Sequence, residues 1–343
     1  MSKNPYNRWL RTDISFYSLL VGRNPKKGEY GIEIEVEGEN LPHNIPGWVE
    51  HPDGSLRGES TEYIFDGPVT LKGSVERLDK IEEAFKSSGG KIIPSYRASS
   101  HIHVNVSDLP LVKIANFITT YFILEDLLFD FAGRERAGNL FCLRGSDAEG
   151  LIYSLSQAVR TGDMVNWLNN DQIRYSALNV KALIQHGSLE VRGMRSTDDF
   201  NEVKQWLRIV HQLRQSVNSF RDPQDVIVSI SARGAEGFIR SIFDEDTANL
   251  FVKSRNLYQR MIDGARLIQD FAYCIPDWEH VKEDRAAQPI PVPLDDALAD
   301  FVRIVNAQQP AQPIRARPMR QVNNNWMIQD INANAVEEEN DDF

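Results

Sequence analysis

Cysteine is scarce: Cys142 and Cys274 are the only two in 343 residues, too few for a disulfide framework in a chain of this length. Each is flanked by apolar neighbours, Phe141 and Leu143 or Tyr273 and Ile275, the pattern of an inert core thiol in a reducing compartment. Positive charge is also in deficit. The 38 Lys+Arg against 49 Asp+Glu give a formal charge of −11, which argues against a surface built to neutralise many phosphates, so nucleic acid is not an expected partner. Part of that charge sits in Glu337, Glu338, Glu339, Asp341 and Asp342, leaving the body only mildly acidic. No long hydrophobic run is present. The most apolar stretch, Ile114 to Phe131, is interrupted by Glu125, Asp126 and Asp130, and the opening MSKNPYNRWLRTD lacks an apolar signal core. A soluble cytoplasmic protein with no membrane partner is the expectation.

Three motifs are missing as well. Gly22 to Gly28 is followed by Glu29 instead of the Lys-Ser/Thr of a P-loop, no G-x-G-x-x-G occurs, and no G-x-S-x-G elbow supports serine hydrolysis. Any nucleotide site is therefore neither of the P-loop nor of the Rossmann type.

What is present is an ordinary globular composition, 41% hydrophobic and 25% charged, in a chain long enough for one large domain with appendages or two smaller ones. Residues 1–28 read as an N-terminal arm or short helix ending in the loop signal Gly22 to Gly28. Residues 29–275 read as the main domain, and 276–343 as a Pro/Gln/Asn-rich extension with an acidic tail. Strict alternation predicts strands over 31–37, 62–65, 100–106 and 188–194. Helical stripes follow. Leu71, Val75, Leu78, Ile81 and Phe85 form one, closed by Gly89-Gly90. A second is announced by Ser107-Asp108 as cap with Pro110 in its first turn, and a third follows Thr197-Asp198-Asp199. Strands too far apart in sequence for simple hairpins, each followed by long helices, predict an α+β fold with a largely antiparallel sheet.

The chemistry lies on the polar faces of those strands. Alternation puts Ile32, Ile34 and Val36 on one side and Glu33, Glu35 and Glu37 on the other. Alone, that is equally the pattern of a solvated sheet edge. The device recurs, however. His101, His103 and Asn105 oppose Ile102, Val104 and Val106; Glu190 and Arg192 oppose Leu189 and Val191; Glu59 and Glu62 enter a further strand. If the apolar faces share one core, the polar faces converge. Carboxylates gathered on one wall cannot all stay ionised without shifted pKa values or a cation, and oxygen-rich ligation with one or two imidazoles favours Mg²⁺ or Mn²⁺ over zinc. The other histidines, His43, His51, His186, His211 and His280, have no ligand-like spacing, which disfavours a His-rich zinc hydrolase.

In order along the chain, Gly31-Ile-Glu-Ile-Glu35, Asp53-Gly-Ser-Leu56 with Glu62, Ser100-His-Ile-His-Val104, Arg174-Tyr-Ser-Ala-Leu-Asn179, and Leu189-Glu-Val-Arg-Gly-Met194 with Thr197-Asp198 resemble the amidoligase family. That family lies in the carboxylate-amine ligase superfamily, with glutamine synthetase and glutamate-cysteine ligase, and the resemblance spans about residues 30–215. It implies a twisted, largely antiparallel sheet of the glutamine synthetase catalytic type with helices on one face. It also implies ATP with Mg²⁺ or Mn²⁺ bound in a funnel on the polar face, and an amide or peptide-type bond formed through an acyl phosphate. By position it assigns Glu33, Glu35, Glu62, His101 and Glu190 to metal, His101, His103 and Arg192 to nucleotide or its metal, and Arg192, Arg174 and Arg144 to phosphate or substrate. Asp53 is assigned to the incoming amine, which must be neutral to attack. As single residues, Arg144 and Arg174 also suit surface salt bridges, and Asp53-Gly-Ser an ordinary turn. Where the family usually has Gly before the His-x-His pair, Ser100 stands here, and a side chain in that place is expected to hinder close approach of a ligand. Substrates in this class are a carboxylate and an amine on small molecules, peptides or protein side chains. Family members occur in bacterial and phage gene sets, and a homo-oligomer is compatible with subunit-shared sites in glutamine synthetase relatives. The competing reading is a catalytically inactive structural or binding protein of the same fold.

Overall fold

The computed structural model describes residues 5–278. Most of the extension expected at 276–343 lies outside the described residues.

Ten helices of α type and seven strands are found among the described residues. The N-terminal segment forms α1 (Phe16–Val21), whose Ser15 cap accepts from the Ser18 N–H and whose Phe16 and Tyr17 are buried. Three strands follow, β1 (Tyr30–Glu39), β2 (Trp48–His51) and β3 (Ser60–Phe65). Helix α2 (Leu71–Ser88) forms where the apolar stripe places it, opened by Thr70 and closed by Gly89 at φ 67°. β4 (Lys91–Ile93) and β5 (Ser99–Asn105) lead into α3 (Leu111–Ala132). Its start differs from the expected one: Pro110 is the N-cap and no side chain caps the helix. Ser107 is used elsewhere, its Oγ accepting from the Lys26 N–H at 2.8 Å and donating to Asn105 Oδ1 at 2.7 Å, so it ties the first loop to the end of β5.

After α4 (Glu149–Thr161), α5 (Met164–Leu168), β6 (Leu178–Asn179) and α6 (Ala182–His186) comes β7 (Ser188–Arg195). Then α7 (Phe200–Ser216) begins at Asp199, which accepts from the Asn201 N–H. The last helices are α8 (Pro223–Ile242), α9 (Glu245–Phe251) and α10 (Leu257–Ala272).

The strands form one open sheet in the order β2-β3-β1-β5-β7-β6, with β4 beside the far end of β1. Every pairing within it is antiparallel. The fold is thus α+β with an antiparallel sheet, as the alternating strands predict. Ile32, Ile34, Val36, Tyr63, Ile102, Val104, Leu189, Val191 and Met194 are buried on one face, where α2, α3 and α7 pack. Helix α3 is apolar on nearly every side because α10, α8 and α7 cover what the sheet does not. The opposite face is left to polar side chains.

One irregularity matters for that face. Ser100 pairs with Met194 but Ile102 with Val191, so β7 carries an extra residue opposite His101. This bulge at Arg192-Gly193 keeps Arg192 on the polar face while returning Met194 to the core. Gly38 matters for β1: a Cβ there would lie 2.2 Å from the Lys91 carbonyl oxygen, so only glycine lets β4 close on the strand.

Candidate active site

Register brings the separate motifs together. Glu33 pairs with His101, Glu35 with Glu62, and His103 with Glu190. Since paired residues share a face, the central strands place three glutamates and two histidines on one wall, with Glu62 at its edge. Glu35, His101 and Glu190 are buried there.

Two groups of ligand atoms result. Glu33, His103 and Glu190 each offer one atom within 4.8 Å of the others, and so do Glu35, Asp53 and Glu62. In the first group, Glu33 Oε1 is 3.1 Å from His103 Nε2, and His103 Nδ1 is 3.1 Å from Ser188 Oγ. His101 borders the group, its Nδ1 3.2 Å from Glu33 Oε2 and 3.3 Å from Glu190 Oε1. Glu190 accepts from Asn179 Nδ2 at 2.6 Å and from Arg192 Nη1. Burial pushes the Glu33 carboxyl up, but the hydrogen bonds from His101 and His103 outweigh it and hold it well below the usual range. Burial pushes Glu190 up too, and Arg192 and the histidines bring it below its ordinary value. For His103, burial lowers the imidazole while Glu190 and Glu33 raise it further, with a net upward shift.

The second group lacks such compensation. Glu62 is pushed up to about 8 by burial and by the charges of Glu33, Glu35 and Asp53, against the weaker pull of Arg192. Like charges directly opposite on neighbouring strands repel, so without a cation this cluster stores a proton. A divalent ion resolves the same conflict: three carboxylates are a hard oxygen set suited to Mg²⁺ or Mn²⁺, and the first group adds an imidazole. The donor sets fit those metals.

The structure places the predicted residues unequally. Glu33, Glu35, Asp53, Glu62, His101, His103, Glu190 and Arg192 come together. Asp53 joins the cluster from the β2–β3 loop while also accepting from the Ser55 N–H at 2.7 Å, so it sits in a turn and beside Glu35 and Glu62 at once. Arg144 instead forms a two-pronged pair with Asp147 at 2.9 and 3.0 Å and approaches Asp126 of α3 at 3.5 Å. Arg174 stacks over Tyr175, its Cζ 4.7 Å from the ring centre. Neither guanidinium joins the acidic clusters. The expectation for Ser100 is corrected: it points into the core, 1% exposed, because alternation sends its side chain to the face opposite His101. It does not crowd the polar wall.

Sequence reasoning missed Ser99, Ser188, His186 and the role of Asn179. Alternation from His101 back to Ser99 and from Glu190 back to Ser188 was the available signal for two of them. Beside the first cluster lies a cavity of about 220 Å³ lined by Lys26, Lys27, Ile64, Pro68, His103 and His186, which neither periodicity nor motif spacing announces. A larger groove of about 720 Å³ on α2 and α7 is lined by Lys204, Arg208 and Asp244, whose charges already pair with one another or with Asp79 and Glu82.

No helix among the described residues is long and apolar enough to cross a membrane. No curated protein matches the chain. Residues 66–213 match the family described as "putative amidoligase enzyme", a description that points to ligase-type activity. The match holds His101, His103, Asn179, Glu190 and Arg192, whereas Glu33, Glu35, Asp53 and Glu62 precede it and reach the site through sheet pairing. By this match, and by the ordered motifs within it, residues 66–213 are similar to the amidoligase family.

Proposed function

We propose that the protein is an ATP-dependent carboxylate-amine ligase, its polar wall working as the glutamine synthetase type of sheet does. The observation that carries this reading is the pair of adjoining clusters, Glu33/His103/Glu190 and Glu35/Asp53/Glu62, at one end of which Lys26 and Lys27 border a cavity with an apolar side. Lysines supply the charge that a polyphosphate requires, and Ile64 and Pro68 offer a surface for a base.

In this reading the substrate carboxylate attacks the γ-phosphorus of ATP, giving an acyl phosphate and ADP. The amine then attacks the acyl carbon, and phosphate leaves with the C–O electron pair. Glu33, His103 and Glu190, and Glu35, Asp53 and Glu62, would hold divalent ions, which would supply neutralisation of charge on the phosphoryl oxygens. The chain's own groups do the rest. Arg192, fixed by Glu190, presents a part-buried guanidinium toward transferred or substrate oxygens. Asp53, which the resemblance assigns to the incoming amine, is the acceptor for the amine's proton in this reading. Asn179 and Ser188 hold Glu190 and His103 in register.

Two experiments test the proposal. Phosphate release from ATP, screened against pools of acids and amines, is expected only when both are present; turnover that ignores the amine points to a kinase or ATPase instead. Mg-ATP is expected to raise the melting temperature, and Glu33→Gln with Glu35→Gln to abolish the rise. An inactive binding protein without a nucleotide site shows no rise in either chain.

A further inference from the structure

The two clusters are joined by one hydroxyl. Ser99 Oγ donates to Glu35 Oε2 at 2.6 Å and lies 2.8 Å from His101 Nε2. A serine has one proton to give. With that proton on the carboxylate, the oxygen can only accept from the ring, so His101 presents Nε2–H to it. The ring's other nitrogen faces Glu33 Oε2 at 3.2 Å and Glu190 Oε1 at 3.3 Å. A continuous path thus runs from Glu35 in the second cluster through Ser99 and His101 to Glu33 and Glu190 in the first. Ser99 and His101 are each 1% exposed, so water does not compete for these contacts. Ser99 makes the one hydrogen bond given to the Glu35 carboxylate among the described residues. Ser188 is different: it holds His103 Nδ1 and belongs to the first cluster's surroundings alone.

We propose that Ser99 is a positioning residue that couples the two cation sites, so that filling one raises the affinity of the other. The inference rests on reading both clusters as cation sites. A cation on Glu35, Asp53 and Glu62 fixes the plane of the Glu35 carboxylate. Ser99 follows Oε2, and the His101 ring, wedged against Glu33 and Glu190, follows Ser99. Outer partners of this kind alter metal affinity by about 10- to 100-fold when removed, and buried hydrogen-bond chains reinforce one another. Coupling must also be reciprocal.

The test is calorimetric titration of the full chain with Mn²⁺ alone, at one pH. The wild-type chain is expected to bind two ions. Glu62→Gln, which weakens the second cluster, is expected to lower affinity at the first by about fivefold or more. In a Ser99→Ala chain the same replacement is expected to change first-cluster affinity by less than about twofold. Ser99→Cys, which fills the same space with a weaker donor, repeats the comparison should the alanine chain not fold by circular dichroism. Ser188→Ala is expected to weaken the first site while leaving the Glu62→Gln effect intact. Equal effects of Glu62→Gln with and without the Ser99 hydroxyl overturn the coupling and leave the two-cation reading standing. A wild-type chain that takes up no Mn²⁺ overturns that reading, and the coupling with it.

Discussion

Glu62 is the residue on which a cation should have its largest visible effect. It faces Glu35 directly across β1 and β3, and burial together with the Glu33, Glu35 and Asp53 charges raises its carboxyl from 4.5 to about 8. Between those two values the native chain keeps a proton that the unfolded chain has released. Stability from this group is therefore complete below about 4.5 and is lost as pH climbs toward 8. At 1.36 kcal/mol per pH unit the full rise corresponds to ~5 kcal/mol; Glu62 is only part-buried, and solvent screening brings the expected effect nearer ~2 kcal/mol. Urea unfolding of the wild-type and Glu62→Gln chains without metal, from pH 5 to pH 9, should show the variant gaining by about that amount relative to wild type as pH rises. The cation adds a sharper readout. A metal must displace the stored proton, so at pH 7 binding to the second cluster should release close to one proton per ion, measured by calorimetry in buffers of different ionisation enthalpy. Glu62→Gln should abolish the release. Release that persists unchanged in Glu62→Gln, or stability curves that stay parallel across the range, refutes the assignment of the shared proton to this carboxylate.

Other consequences follow from single contacts. Asn179→Ala removes the 2.6 Å hydrogen bond to buried Glu190; bonds to charged groups contribute about 1.5–3 kcal/mol, so a loss of that order is expected in chemical unfolding, with weaker first-cluster Mn²⁺ binding. Ser100 Oγ is buried without a hydrogen-bond partner among the described residues, so Ser100→Ala should hold or raise stability, by roughly 1 kcal/mol, and leave any Mg-ATP thermal shift unchanged. A reduced shift in that variant would show that the strand position before the His-x-His pair does touch the nucleotide.

Much of this site was legible because strands have a period of two. Alternation alone put Glu33, Glu35, His101, His103, Glu190 and Arg192 on polar faces, and pairing of the buried faces had only to align them. What alternation does not carry is register and irregularity. The bulge at Arg192-Gly193 leaves no mark in a pattern read as simple alternation, and the two-residue β6 is too short to stand out from the loop around it. The start of α3 was misread because Ser107 resembles a cap, whereas tertiary contacts with Lys26 and Asn105 take its hydroxyl. Arg144 and Arg174 show the limit of lone charges: an arginine's destination depends on which acid the fold brings near it, here Asp147 and Asp126 for Arg144. Ser99 escaped notice because a serine beside a histidine pair has no distinguishing spacing. Its importance arises only when β1 lies against β5 and Glu35 comes within 2.6 Å.

The most direct measurement is anomalous diffraction from crystals of the full chain grown or soaked with Mn²⁺. Two peaks are expected, one among Glu33, His103 and Glu190 and one among Glu35, Asp53 and Glu62, both lost or weakened in Glu33→Gln with Glu35→Gln. Peaks confined to other parts of the surface, or none at all at millimolar Mn²⁺, would contradict the account.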